Sequence, residues 1–315
     1  MRKLILICIF LCFSGSAFAA QGIHYAPLDG VWAPAGTNFA IMYMNRYSAN
    51  KFYTDGKESK DRVITQNVGA LRLGRFISLP ADMMLQPSLI IPFGDASLDN
   101  NYNTPLGLIN PALPSPPVTK RFTTSGVGDP ELNIALRAVQ WNAGTYFNGY
   151  INVGGSIIAP LGNYDSDSPI NLGSNRWTFR PLFGVGQNFG PVHIDINTGS
   201  DIFTDNKDVY GSPNGTLRKY TEYWSEAHIT YFIVPETRTY ASISFGGLWG
   251  GREEIDYFKR QDWVESYALR LTMGTTISKH VSMYAYYQPE TAVYNGPKGN
   301  MMGIRFGIMR LPDSE

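Results

Sequence analysis

The sequence predicts an all-β chain, a transmembrane antiparallel up-and-down β-barrel of about twelve strands. Three observations point there. Apolar and polar residues alternate with period two in one segment after another, which sets successive side chains on opposite faces of a strand. The connections between these segments take turns between short and long. Past residue 20 there is no uninterrupted run of about 18 apolar residues, the length a membrane-spanning helix needs.

The first element is not a strand. Met1-Arg2-Lys3, an apolar run from Leu4 to Phe13 and a small-residue stretch from Ser14 to Ala20 have the three regions of a secretory signal, with Ala17-Phe18-Ala19 as the cleavage pattern. Residues 1–19 are read as that signal, so the mature chain is expected to begin near Ala20. Both cysteines, Cys8 and Cys12, fall inside it, which leaves the exported part no thiol for a disulfide, a metal or a nucleophile. Leu11 precedes Cys12 where a lipid-anchored chain needs a small residue. Residues 20–36, with Pro27 and Pro34, carry no strand pattern and are expected to form a periplasmic tail or, alternatively, a small plug in the barrel. The barrel is expected over 37–315.

Strands are expected at 37–47, 62–77, 82–93, 127–139, 145–159, 174–189, 191–204, 219–233, 238–250, 262–277, 281–291 and 300–311. Leu132, Ile134 and Leu136 alternate with Glu131, Asn133 and Arg137. Trp177, Phe179, Phe183 and Val185 alternate with Arg176, Thr178, Arg180, Gly184 and Gly186. Val192, Ile194 and Ile196 oppose His193, Asp195 and Asn197, and Leu269 and Leu271 oppose Arg270 and Thr272. Met302, Ile304, Phe306 and Ile308 oppose Gly303, Arg305 and Gly307. A soluble sandwich also alternates. Strands running past ten residues, aromatics near strand ends and charges recurring on the second face favour the barrel.

Short connections fall near 78–81, 141–144, 190–191, 235–237 and 278–280, and long polar ones near 48–61, 94–126, 160–173, 205–218, 251–261 and 292–299. Short turns belong to the periplasmic side and long loops to the outside. The longest loop holds Pro105, Pro111, Pro114, Pro116 and Pro117 with Leu106, Leu108, Ile109 and Leu113, and is expected to fold over the external mouth. Trp177, Tyr223, Trp224, Trp249 and Trp263 stand near strand ends, where amphipathic rings anchor at a membrane interface.

Three runs carry a resemblance: Gly126-Val127-Gly128-Asp129-Pro130, Pro160-Leu161-Gly162-Asn163-Tyr164, and Asn171-Leu172-Gly173-Ser174-Asn175-Arg176-Trp177. With the opening Ala33-Pro34-Ala35-Gly36-Thr37-Asn38, they resemble the phenol meta-pathway degradation protein-like family over most of the mature chain. The resemblance implies an outer-membrane barrel that imports hydrophobic compounds, often aromatic ones. Gly303, Phe306 and Ile308 partly resemble the terminal signal read by the barrel assembly machinery, although the chain continues from Met309 to Glu315 instead of ending on an aromatic residue.

Charge on the lipid face near the midplane costs about 2 to 4 kcal/mol for Arg or Lys, so strand parity turns charged groups inward. Arg72, Asp129, Glu131, Arg137, Arg176, Arg180, His193, Asp195, Glu226, His228, Arg270 and Arg305 are therefore the candidate pore-lining residues. They have two roles open to them: pairing across the lumen, or, for Arg176, Arg180, Arg270 and Arg305, an electropositive constriction that draws anionic solutes.

The function expected is an outer-membrane channel or transporter for small hydrophobic or aromatic compounds, without cofactor or metal, monomeric, with outer-membrane lipids and the assembly machinery as partners. The 26 basic and 26 acidic residues balance, which argues against a nucleic-acid partner. One alternative is a structural or adhesive barrel with no transport. Another is an outer-membrane lipid hydrolase, but His193 and His228 have inward parity, His24 precedes the first strand and His280 lies in a short turn, so no base faces the outer leaflet. No Gly-x-Ser-x-Gly elbow, HExxH helix or phosphate loop occurs. Asp165 and Asp167 form a carboxylate pair open to solvation or to calcium.

Overall fold

A computed structural model of the chain describes residues 23–102, 118–142, 148–210, 212, 215–256, 258–259 and 263–312. The expected signal at 1–19, the loop prolines 105, 111, 114, 116 and 117 and the apolar residues among them lie outside the described residues.

The barrel runs through β1 (Asn38–Thr54), β2 (Arg62–Arg75) and β3 (Met84–Tyr102). A fourth crossing, β4, is made of two pieces, Val118–Val127 and Glu131–Asn142. There follow β5 (Asn148–Ile158), β6 (Thr178–Phe189), β7 (Val192–Phe203), β8 (Glu222–Val234), β9 (Thr239–Gly250) and β10 (Val264–Ser278). The last element, Val281–Arg310, is a hairpin: its first half, 281–295 (β11), pairs with β10, and its second, 296–310 (β12), pairs with β1. The two halves meet where the Met309 N–H donates to the His280 carbonyl at 2.8 Å and the Lys298 ammonium to the Thr291 carbonyl at 2.7 Å. Every neighbouring pair is antiparallel, β12 with β1 included, and only an even number of strands closes a cylinder in that way. Among the described residues the barrel therefore has twelve crossings, as the alternation predicts.

The outer surface is the apolar face. Leu132, Ile134, Phe179, Phe183, Ile196, Ile229, Phe245, Leu271, Met302, Ile304 and Phe306 are all exposed there, a band that only lipid covers without cost. We expect Leu271→Arg, on this face, to lower stability by about 2 to 4 kcal/mol, whereas Thr272→Ser, facing inward, changes it little. Denaturant titration of the folded barrel in phospholipid vesicles reads both.

Several strands run further outward than the alternation predicts. β1 continues to Thr54, β3 to Tyr102, β4 begins at Val118, and the expected loop at 292–299 is strand, paired with β10 up to Asn295 and with β1 from Gly296. The reason is on their outer face. Met44 gives way to Arg46 and Phe93 to Asp95, so the apolar period stops while the backbone ladder goes on. Arg46 donates to Asn67 at 3.2 Å and Asn67 to Asp95 at 2.9 Å, a polar row crossing three strands on the outside. The wall here stands above the apolar band. At its rim the Tyr53 hydroxyl, donating at 2.7 Å, and the nearby Lys60 hold the exposed Glu58 carboxyl below its usual range.

One seam interrupts the wall. β3 pairs through 93–102 with the upper piece of β4 and through 84–90 with the lower piece. Between them stand Pro92 and Pro130, which have no N–H, and one bond from the Gly128 N–H to the Pro92 carbonyl at 2.9 Å. On the far flank, the loop after β5 stands in for a strand. Asn163 donates its N–H to the Val127 carbonyl at 2.7 Å, and its side-chain oxygen accepts the Val127 N–H at 2.7 Å.

Candidate functional site

The site is the lumen and the peptide inside it. Residues 23–36 enter the barrel and are gripped by inward side chains, mostly through their backbone. The N–H groups of His24 and Tyr25 donate to the Glu226 carboxylate at 2.6 and 3.1 Å, and the Leu28 N–H donates to Asp195 at 3.2 Å. Arg270 donates to the carbonyls of Tyr25 and Ile23 at 2.9 and 3.1 Å. Arg137 donates to the Gly30 carbonyl, and Arg305 donates to the Asp29 side chain at 2.7 Å. Tyr150 packs against Gly30 so closely that no Cβ fits there. Trp224 is buried and lies against the rings of His24 and Tyr25, with centroids 4.7 and 5.7 Å apart. The lack of a strand pattern favoured a tail for this segment. A peptide held by its backbone needs no side-chain periodicity, so the sequence carries no such signal.

The parity argument places the candidate side chains inward, and the structure groups them by partner. Arg180 makes two 2.7 Å bonds to Asp201 and lies 3.7 Å from Glu131, whose carboxylate also accepts the Ser156 hydroxyl. Arg72 donates to Ser88 and Gln86 at 3.1 and 3.2 Å. His193 bonds Asp195 at 2.9 Å, and Tyr150 donates to the same carboxylate. Arg270 also bonds Gln288 at 2.7 Å. Arg176 is buried with its guanidinium 4.9 Å from the centre of the Phe203 ring. The four arginines expected as one electropositive constriction thus serve different partners. Arg180 and Arg305 are matched by carboxylates, and Arg270 grips the inserted peptide.

Asp129 sits between the two pieces of β4 and acts as a clasp. Its carboxylate accepts the N–H groups of Gly162 and Ser174 at 2.9 and 2.7 Å and the Ser174 hydroxyl at 2.6 Å, tying the loop after β5 to the seam. Asp165 likewise serves its own loop, accepting the Asp167 N–H at 2.9 Å. Among the described residues no group of three metal-ligating side chains forms.

His228 contacts Ser244 through Nδ1 at 2.7 Å and Glu226 through Nε2 at 3.3 Å, which superficially resembles a hydrolytic triad. The hydroxyl and the histidine are fully buried, neither lines either of the two chambers described below, and Glu226 is already committed to the peptide. The grouping satisfies buried polar atoms.

The inserted peptide separates two chambers. One, of about 160 Å³, lies toward the long loops and is lined by Ile23, Val68, Ala70, Ile90, Pro92, Phe93, Ile158, Leu172 and Met301, with Arg72, Asp129, Glu131, Arg180 and Arg270 among its polar groups. The other, of about 910 Å³, opens at the short-turn end past Asn148, Gly190, Pro235 and Arg238, and includes Arg72, Arg137, His193 and Arg305. Arg176, Asp195, Glu226 and His228 line neither.

Parity alone would have found some of the residues missed from the sequence. Asp201 shares the face of His193 and Asp195, and Trp224 that of Glu226 and His228, so Trp224 belongs to the lumen and not to the membrane interface. Trp177 and Tyr223 are exposed, as an interface position requires, and Trp249 donates to the Tyr267 hydroxyl at 3.1 Å. Asp29 and Trp32 had no such signal, because they lie on no strand.

Comparison with solved structures finds the fold in an outer membrane channel, COG4313, from Pseudomonas putida F1. The two share 25% identity over 91% of this chain and 100% of that one, with a TM-score of 0.79. The transport unit of the autotransporter AIDA-I from Escherichia coli shares the barrel alone, at 9% identity, 93% and 95% coverage and a TM-score of 0.50. No curated protein matches the chain. Residues 49–306 match the family described as "Putative MetA-pathway of phenol degradation". The chain belongs to that family, as an outer-membrane β-barrel of a Gram-negative bacterium.

Proposed function

We propose that this barrel is a channel for the uptake of small hydrophobic compounds, single-ring aromatics above all, with residues 23–36 as its plug. The chamber above the plug carries the reading. Its volume of about 160 Å³ and its largely apolar lining suit one ring, since an apolar cavity of about 150 Å³ is enough to hold benzene. A wide aqueous pore is a poor description of a lumen whose axis holds a peptide gripped by Glu226, Asp195, Arg137, Arg270 and Arg305. The family's association with phenol degradation and the COG4313 neighbour's description as a channel support the same reading.

Two exits lead from the chamber. One runs along the axis past the plug into the larger vestibule. The other runs sideways at the seam, where Pro92, Phe93 and Gly128 line the chamber and the β3–β4 ladder is broken.

Ala70 is buried in the chamber wall, and Ala70→Phe places a ring in the space the solute needs. The variant is expected to assemble and to lose most uptake of toluene in porin-deficient cells. Undiminished uptake in a correctly folded Ala70→Phe barrel would remove the chamber from the pathway.

A further inference from the structure

We propose that the outer wall of β12 and β1, above the apolar band, is a docking site for lipopolysaccharide, with Arg46, Lys51 and Lys298 as its anion-binding groups. Strand register puts these three on one strip of the outside surface. Arg46 is exposed in the first row past Met44, and its ladder partner on β12 is the exposed Met302. Lys298 stands four residues further out on β12, about 13 Å along a strand, and pairs in register with Lys51. The bulge between Ala49 and Lys51 resets the alternation, so that Phe52 is buried inside and Lys51 turns outward. Two ammonium groups directly opposite each other on one face of a ladder repel.

The wall leaves much of this charge uncompensated. Lys51 and Lys60 share the Glu58 carboxylate at 3.5 and 3.3 Å, and Asp61 is taken by Arg62. Arg46 and Lys298 form no ion pair among the described residues: Arg46 donates to the Asn67 side chain and Lys298 to the Thr291 carbonyl. The strip is also one-sided. Further round the wall, the upper ends of β8, β9 and β10 turn out Tyr223, Trp249, Tyr267 and Glu265 instead. An anion must therefore meet the strip at two heights, at the edge of the hydrocarbon and well above it. A phospholipid carries its charge at the first height alone. Lipopolysaccharide has phosphates on its lipid anchor and acidic sugars in the core above them. Basic side chains beside a bilayer gain from anionic headgroups charge by charge. Arg46 meets the anchor phosphate, and Lys51 and Lys298 meet the core.

The test titrates the full mature barrel in neutral detergent with three lipids and reads the bound lipid by native mass spectrometry. The probes are deep-rough lipopolysaccharide, its lipid A freed of core sugars, and phosphatidylglycerol. Deep-rough lipopolysaccharide is expected to bind most tightly. Arg46→Gln is expected to weaken it and lipid A about fivefold each. Lys51→Gln combined with Lys298→Gln is expected to weaken lipopolysaccharide about tenfold and lipid A little. Lys279→Gln removes an exposed cation from the short turn between β10 and β11 and should change neither. Heat-modifiable gel migration checks that every variant is a folded barrel. The proposal is overturned if the folded variants bind lipopolysaccharide as the unaltered barrel does, or if Lys279→Gln weakens it as much as Arg46→Gln. It is equally overturned if phosphatidylglycerol binds as tightly as lipopolysaccharide, or if the paired lysine variant weakens lipid A and lipopolysaccharide alike.

Discussion

Deleting residues 23–36 is expected to raise single-channel conductance several-fold. Eight-stranded barrels are filled by their own side chains and those of about 16 strands or more enclose open water, so a twelve-stranded cylinder depends on what else occupies it. Here the occupant is a peptide held by Glu226, Asp195, Arg137, Arg270 and Arg305. Without it those charges face water along a continuous axis. Planar-bilayer recordings of the deleted and intact proteins measure the change, and equal conductances would show that the plug does not obstruct ions. The same pair separates the two exits. Aromatic uptake rises with conductance if solute leaves along the axis, and does not rise if solute leaves at the seam, because the deletion also removes Ile23 from the chamber wall.

Arg180→Met is expected to cost about 3 to 5 kcal/mol, because it strands the Asp201 carboxylate in the barrel interior. Asp201 is 2% exposed, its partner 8%, and the two bonds between them are both 2.7 Å. The arginine therefore provides the compensation that makes the buried acid tolerable. Arg180→Met combined with Asp201→Leu should recover most of the loss, since a buried pair replaced by apolar groups of similar volume is often close to neutral. Guanidinium unfolding of the three variants gives the cycle. A double variant as unstable as the single one would mean that the pair is not the source of the cost.

Period-two alternation located all twelve crossings, because each strand has one face in lipid and the other in a polar lumen. It failed at the outward ends of β1, β3 and β4 for a physical reason: there the outer face turns polar, as at Asp95, while the inner face carries apolar side chains such as Phe52, Ile64 and Leu98, so the lipid-facing alternation ends although the backbone ladder goes on. Inward direction was equally legible, down to Asp201 and Trp224, whose parity matches that of their neighbours. Partnerships were not. Arg305 meets Asp29 across 276 residues of chain, and Arg270 reaches the Ile23 carbonyl across 247. No local pattern encodes contacts to a segment with neither helix nor strand. The four-arginine constriction failed on this point, since residue type and parity fix where a guanidinium points but not which carboxylate or carbonyl it meets.

The central claim is passage of a small aromatic compound through this barrel. A neutral aromatic crosses plain phospholipid unaided, so the decisive measurement uses the barrier the protein has to overcome, an outer membrane with lipopolysaccharide in its outer leaflet. Initial uptake of labelled toluene and of labelled sucrose is followed in porin-deficient cells with and without the barrel. The account predicts faster toluene uptake, abolished by Ala70→Phe, and no change for sucrose. Toluene uptake identical with and without the barrel, or a gain for sucrose equal to that for toluene, would contradict it.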